Sequence, residues 1–283
     1  MTHSHKSITL NIYSKMEREI QMGKIWCIYF SPSGTTKVVM ERIAAKMDGE
    51  KHTWDLLKEP DVTPKTLQPE DVLLVGVPVF SGRIPTPCIP MLQSLKGAQT
   101  PAIAVAVYGN RDYDDALLEL KNMLEEQAFL VIGAAAVVAQ HSIFTKVAAG
   151  RPDAEDLEKL DLFSAECIER LQSGRMNWKE LQVKGNKPYR EISNVPMKPS
   201  ADTTCTSCGL CARLCPVHAI DPANPRKTDQ TRCISCTACI AACPQGARHF
   251  PKLMFVPASV AFEKSVQSVV NQNGSYKEKS LYA

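Results

Sequence analysis

Long apolar runs are missing from this chain. No window of its 283 residues approaches the ~18 consecutive apolar residues that a bilayer-spanning helix requires. The first 23 residues are polar and mixed, without the apolar centre of a secretory signal; the expectation is a cytoplasmic protein with no membrane span. An excess of one charge is missing too. Lys and Arg number 33 against 30 Asp and Glu, a net charge of +3, which argues against binding to nucleic acid or another polyanion. Aromatic residues are few, at 6%. The phosphate-binding patterns G-x-G-x-x-G and G-x-x-x-x-G-K-[ST] are absent, as is the G-x-S-x-G nucleophile elbow. The six histidines are scattered and form no zinc or catalytic set. Cysteine is nearly absent from the first 200 residues, which hold only Cys27, Cys88 and Cys167. What the chain does have is 44% hydrophobic and 22% charged residues, the balance of a protein with a real core, and eight further cysteines packed between positions 205 and 243.

Eight thiols within 39 residues of a long chain point to metal rather than to a disulfide scaffold. Cys205-x2-Cys208-x2-Cys211-x3-Cys215-Pro216 repeats as Cys233-x2-Cys236-x2-Cys239-x3-Cys243-Pro244, offset by 28 residues. This doubled C-x2-C-x2-C-x3-C-P resembles bacterial ferredoxins with two [4Fe–4S] clusters. Three cysteines at i, i+3 and i+6 on a tight loop reach three corners of one cube. The fourth, held by proline, points at the other cube. The resemblance implies one cluster on Cys205, Cys208, Cys211 and Cys243, and a second on Cys233, Cys236, Cys239 and Cys215. Gly209 gives room for backbone amides near the sulfurs. The competing reading is a pair of structural zinc sites, although these usually pair two C-x2-4-C knuckles.

The N-terminal part alternates. Apolar runs at Lys24–Phe30, Val72–Val79, Pro101–Tyr108 and Phe129–Ala139 read as buried strands, with a further strand at His52–Leu57. Helical spacing appears over Thr36–Met47, Asp114–Glu126 and Pro152–Leu171, with Pro152 suited to a first turn. Near-continuous apolar strands separated by helices imply a parallel sheet covered on both faces. Three loops leave the carboxyl ends of these strands, where ligands bind in such sheets. Ser31-Pro32-Ser33-Gly34-Thr35-Thr36 follows the first strand and offers hydroxyls and a helix N-terminus to a phosphate; an ordinary hydroxyl helix cap is the plainer alternative. Val79-Phe80-Ser81-Gly82-Arg83-Ile84-Pro85 and Tyr108-Gly109-Asn110-Arg111-Asp112-Tyr113 each join glycine to an aromatic side chain, as a flat heteroaromatic ring needs.

S-P-S-G-T-T resembles the FMN phosphate loop of flavodoxins, and the other two loops are similar to their flavin-ring loops. The resemblance covers roughly residues 24–250 together with the cysteine motif, and it is to flavodoxin-like domains fused to a bacterial-type ferredoxin domain in anaerobes. It implies a doubly wound five-stranded parallel sheet of order 2-1-3-4-5, followed by a small α+β ferredoxin domain. It also implies non-covalent FMN held by Ser31, Ser33, Gly34, Thr35, Thr36, Phe80, Ser81, Gly82, Tyr108, Gly109, Asn110 and Tyr113.

The expected organisation is an N-terminal extension (1–23), the FMN domain (24–173), an extended linker rich in proline and glycine (174–200), the ferredoxin domain (201–250) and a tail (251–283). In the tail, Ser259 would cap a helix with Phe262, Val266, Val269 and Val270 on one face. Such a stripe must pack on one domain, between the two, or on a partner. Cys27 and Cys167 read as packing residues, and Cys88 more as packing than as function. Residues 187–250 carry eight basic and four acidic side chains, which suits either charge balance around clusters or docking of an acidic redox partner. Nothing in the sequence sets an oligomeric state. The function expected is electron transfer between two [4Fe–4S] clusters and FMN. The alternatives are an FMN-dependent reductase of a small substrate, and a redox sensor with an empty flavodoxin domain.

Overall fold

The computed structural model describes residues 23–60, 65–273 and 281–282. Apart from Gly23, the expected N-terminal extension lies outside these. The first half is built on β1 (Ile25–Tyr29), α1 (Thr35–Ala45), β2 (Lys51–Asp55), β3 (Val72–Pro78), α2 (Cys88–Gln93), β4 (Thr100–Tyr108), α3 (Ala116–Glu126), β5 (Phe129–Val138) and α4 (Ala154–Ser173). The five strands are parallel in the order β2-β1-β3-β4-β5. A short β6 (Leu281–Tyr282) pairs antiparallel with the outer edge of β5. The order reverses between β1 and β3, which opens a crevice at their carboxyl ends.

Burial explains the sheet. Successive residues of β1 face opposite sides: Trp26 and Ile28 join the core shared with α3, while Ile25, Cys27 and Tyr29 join the core under α1 and α4. Both faces are apolar, so the strands read as unbroken hydrophobic runs. The buried thiols of Cys27 and Cys167 are pushed up to about 12 by burial, and that of Cys88 is raised further. All three are inert packing residues.

Helix α4 starts two residues later than its pattern suggests. Asp153 is the cap, forming a capping box with Asp156, and Pro152 stands outside the helix. Asp114 likewise precedes α3.

The remainder comprises α5 (Leu210–Arg213), α6 (Ala238–Ala241) and a long α7 (Lys252–Asn273), with a two-residue antiparallel pair, Ser200–Ala201 and Arg248–His249, between them. Helix α7 begins seven residues before the cap expected at Ser259, whose hydroxyl instead bonds Glu263 within the helix. Val266 is buried and Phe262 half-buried; the side chains of Val269 and Val270 are outside the description. Phe255 lies between Phe144 of the first half (5.8 Å) and Phe250 of the second (6.0 Å), and Phe262 stacks on Phe144 at 4.7 Å. The helix therefore packs between the two halves. No described helix is long and apolar enough to cross a membrane.

Apart from a 3-10 turn at Arg175–Asn177, the segment between α4 and Ser200 is irregular, and it is pinned rather than free. Leu181 is buried in the core of the first half, and the backbone N–H groups of Asn186 and Arg190 donate to buried Asp115 at 2.8 and 2.7 Å. Asp115 sits where a helix cap would, yet it caps nothing on α3 and turns outward to hold this connector.

Candidate cofactor sites at the strand ends and in the cysteine loops

The loop after β1 wraps the start of α1. Gly34 is at φ 91°, a left-handed conformation that favours glycine, and a Cβ there would meet nothing within 4 Å. The space over the loop is open, beside the first unpaired N–H groups of α1. Ser33 and Thr35 line the cavity described below, their hydroxyls 3.3 Å apart. Ser31, Gly34 and Thr36 do not line it: the Ser31 hydroxyl accepts the Lys37 N–H at 2.9 Å, and Thr36 is buried. Of the four hydroxyls, then, Ser31 serves as the internal cap.

The loop after β3 is a tight hairpin turn in which Phe80 and Arg83 exchange backbone bonds of 2.9 and 3.1 Å. Its central residues Ser81 and Gly82 both have positive φ. A Cβ on Gly82 would strike Asp114 at 2.4 Å, so only glycine fits. Buried Glu119 fixes the loop from below, taking two bonds from Arg83 (2.6 and 2.7 Å) and one from the Ile84 N–H (3.1 Å). Phe80, Ser81 and Gly82 line the cavity. In the loop after β4, Tyr108 and Gly109 also line it, whereas Asn110 and Tyr113 do not. Tyr108 and Tyr113 are both buried, edge to face at 5.4 Å. Tyr113 belongs to the core, so its expected contact with a ring is corrected.

These loops open into one cavity of about 920 Å³, within the size range of cofactor pockets. Its other walls come from places the sequence did not mark: 140–144 after β5, the connector at 190 and 192–197, residues 231–236 of the second cysteine loop, and Met254, Ala258, Ala261, Phe262 and Ser265 of α7. His141 is the most specific of these. Its Nδ1 accepts the N–H groups of Ile143 and Phe144, both at 3.1 Å, and its ring abuts Phe262. Burial first, then nearby Arg111, lowers its pKa to about 4. The ring is neutral at physiological pH, with its proton on Nε2 as a fixed donor. No spacing or pairing in the sequence singles this histidine out.

Two small cavities lie in the C-terminal half. One is ringed by Cys205, Cys208, Cys211 and Cys243, the other by Cys215, Cys233, Cys236 and Cys239. Each ring takes its fourth cysteine from the other motif. Among the described residues, no three His, Cys, Asp or Glu side chains converge closely enough for a single metal ion. A tetrahedral zinc draws its ligands to one point, whereas a four-iron cube takes one thiolate at each corner. The backbone suits thiolates: the N–H groups of Ser207, Ala219 and Ser235 donate to the sulfurs of Cys205, Cys215 and Cys233 at 3.4, 3.2 and 3.4 Å. Burial raises the Cys236 thiol to about 12 and also raises Cys239, against the nearby charge of Arg248. At Cys243 burial is outweighed by the backbone N–H groups of Gln245, Ala247 and Arg248, and the thiol is lowered. Thiols this buried are held as thiolates only with positive charge among them.

Cys233 and Cys236 belong to both sites. They ring the second small cavity and also line the 920 Å³ cavity at the strand ends. Cys208 of the other ring is exposed.

Residues 188–248 match the model of the 4Fe-4S dicluster domain. The chain is thus a flavodoxin-like domain joined to an iron–sulfur domain of ferredoxin type. The match starts inside the connector, at Pro188, and takes in all eight clustered cysteines. No curated protein sequence matches the chain. Among solved structures, flavodoxin 1 of Bacillus cereus is 18% identical, with 52% of this chain and 97% of that one covered and a TM-score of 0.36. The rubredoxin oxygen:oxidoreductase of Desulfovibrio gigas is 15% identical over 59% of this chain and 42% of that one, TM-score 0.38. The Flv1 flavodiiron core of Synechocystis is 14% identical over 60% and 41%, TM-score 0.39. The flavodoxin-like description of the first half follows from its own strand order.

Proposed function

We propose that the chain carries electrons between two [4Fe–4S] clusters and a non-covalently bound FMN, exchanging them with a redox partner protein. The observation that carries this reading is the shared wall: one ring of four cysteines borders the cavity into which the phosphate-type loop and two glycine loops open. Bound there, the clusters would supply one-electron steps and the flavin one- or two-electron steps. The chain's own part is to hold and orient. Ser33, Thr35 and the start of α1 would take the phosphate; Phe80, Gly82 and Gly109 would face the ring system. Helix α7 lines the far wall. The crossed cysteine rings explain the repeat, because neither motif completes its ring alone. The exposed Cys208 side is where a partner would exchange electrons.

Iron, sulfide and released-flavin assays on one anaerobic preparation test this. The expected result is about eight iron, eight sulfide and one FMN per chain. Gly34→Asp should abolish flavin binding while leaving iron unchanged, since the added carboxylate occupies the open space over the loop and repels a phosphate. Stoichiometric zinc without iron sinks the cluster assignment. Flavin retained in the Gly34→Asp protein sinks the phosphate loop. Absence of flavin from the unaltered protein would favour a redox sensor, and reoxidation of the flavin by a small substrate would favour a reductase.

A further inference from the structure

Two buried cations stand beside the cysteine rings, and the rings do not share them equally. Arg248 is 2% exposed. Its guanidinium donates to the carbonyls of Pro225 (2.5 Å) and Pro199 (3.0 Å) and to the Thr228 hydroxyl, and it lies 3.8 Å from the Cys211 sulfur. Its charge also bears on Cys239 and Cys243. Arg248 therefore serves both rings. Lys198 is 4% exposed. Its ammonium donates to Asn194 Oδ1 at 2.7 Å and to Ser235 Oγ at 3.2 Å. Ser235 in turn gives its backbone N–H to the Cys233 sulfur at 3.4 Å. Apart from the Cys211 sulfur beside Arg248, the hydrogen-bond partners of both cations are neutral oxygens, and among the described residues neither forms an ion pair with a carboxylate. A buried ammonium with neutral partners alone is costly, and burial lowers the Lys198 pKa; the neighbouring Cys233 acts in the opposite direction and favours the charged form.

Among the described residues, the other ring has no equivalent of its own. The cations near Cys205 and Cys208 are Arg226 and Arg213, which donate to the backbone carbonyls of those cysteines at 3.1 and 3.2 Å. Both are exposed, so solvent and salt screen them. A fixed charge in a dry site acts far more strongly than one in water.

We propose that Lys198 biases the electron toward the flavin cavity by making the ring of Cys215, Cys233, Cys236 and Cys239 the easier of the two to reduce. This rests on the two-cluster reading above. One electron, supplied by a one-electron donor protein that is oxidised in the exchange, is favoured on the inner ring over the outer one. No bond is made or broken, and Lys198 keeps its proton. Lys198 is a positioning residue for charge, not a ligand.

The test is a potentiometric titration of the full chain followed by electron paramagnetic resonance, comparing Lys198→Gln, Lys198→Met and Lys198→Arg with the unaltered protein. Cys208→Ser identifies the outer cluster's signal. In the two neutral variants the share of a single electron held by the inner cluster should fall, on the order of tenfold, while the outer cluster's midpoint stays put. Lys198→Arg should restore the original split. Three results overturn the proposal: an unchanged split in neutral variants that retain all their iron, equal shifts of both clusters, or loss of the inner cluster from both neutral variants, which would make Lys198 structural. In each of these the two-cluster reading survives. An unaltered protein without two four-iron clusters fails that reading itself, and the proposal falls with it.

Discussion

The two halves of this molecule are held together by different means. The α/β half buries two continuous apolar cores, one on each face of the sheet. Within the cysteine-rich half the buried cluster is small, Cys211, Ala212, Ile220 and Cys239, two of them ring cysteines, and Met197, Phe250 and Val266 are buried against Phe144 and Val147 of the first half. The first half folds by removing apolar surface from water. The second has too little such surface to stand on that term alone, so its loops depend on what the cysteines bind. A core and a cofactor site can therefore be separate, as in the sheet with its rim of loops, or one and the same, as between α5 and α6.

The sharpest way to break this contrast is to remove one ring ligand. Cys215→Ala sits in the first motif, yet it should destroy the cluster ringed mainly by Cys233, Cys236 and Cys239. About half the iron should go, and residues 200–250 should lose protection from hydrogen exchange while the parallel sheet keeps its own. Loss of only the other cluster would contradict the crossed rings. Equal loosening of sheet and loops would contradict the claim that the halves are stabilised separately.

A smaller effect is expected from α7, the element that touches both halves. Phe255→Ala with Phe262→Ala removes the rings that join Phe144 to Phe250. Both are only half-buried, so the loss should be about 2 kcal/mol each, below the range for fully buried rings. Iron should stay bound, and flavin should be held less tightly because Phe262 lines the cavity. Flavin reduction through the clusters should slow several-fold, because relative motion is the default for linked domains. Stopped-flow reduction at the unaltered rate would leave the helix as local packing.

How much of this was legible in the sequence differed between the halves for physical reasons. The crossed rings follow from the resemblance of the doubled cysteine motif to bacterial ferredoxins. That the sheet is parallel follows from strands whose two faces are both buried and therefore read as unbroken apolar runs; its order was implied by the resemblance to flavodoxins. The rim of the cavity was less legible. Ser31 and Thr36 carry the right chemistry but are turned inward by the cap and the core, and Tyr113 is turned inward by Tyr108. His141, Lys198 and the 192–197 segment have no periodic signal, because their roles come from contacts between residues far apart in the chain. The Pro-rich connector reads as a loose linker for the same reason: what pins it is a carboxylate 71 to 75 residues away.

That carboxylate, Asp115, is the seam of the comparison, since it belongs to the sheet half and holds a segment matched to the iron–sulfur domain. Burial alone would raise its pKa, but the N–H groups of Arg190 and Asn186, the Asn186 amide and the Arg190 charge together lower it. A lowered folded pKa means stability that is fully present above the unfolded value, about 3.9, and is lost as the pH falls through the folded one. Between pH 6 and 8 the clamp should be constant; below about pH 4 it should let go. Asp115→Asn mimics the acid form at neutral pH. It keeps the size of the side chain but puts an N–H group where one acceptor oxygen was, and two backbone donors compete for what remains. Since Asp115 is 2% exposed, the expected loss is about 1–3 kcal/mol, read as a lower unfolding midpoint with a smaller response to acid in this range, the part due to Asp112 and Asp156 remaining. The connector should also become open to proteases near residues 186–196, with weaker flavin retention, because 192–197 line the cavity. If the variant resists cleavage there as the unaltered protein does, other contacts such as Ser81 with Ser193 and Arg83 with Arg190 hold the connector, and the seam does not depend on this carboxylate.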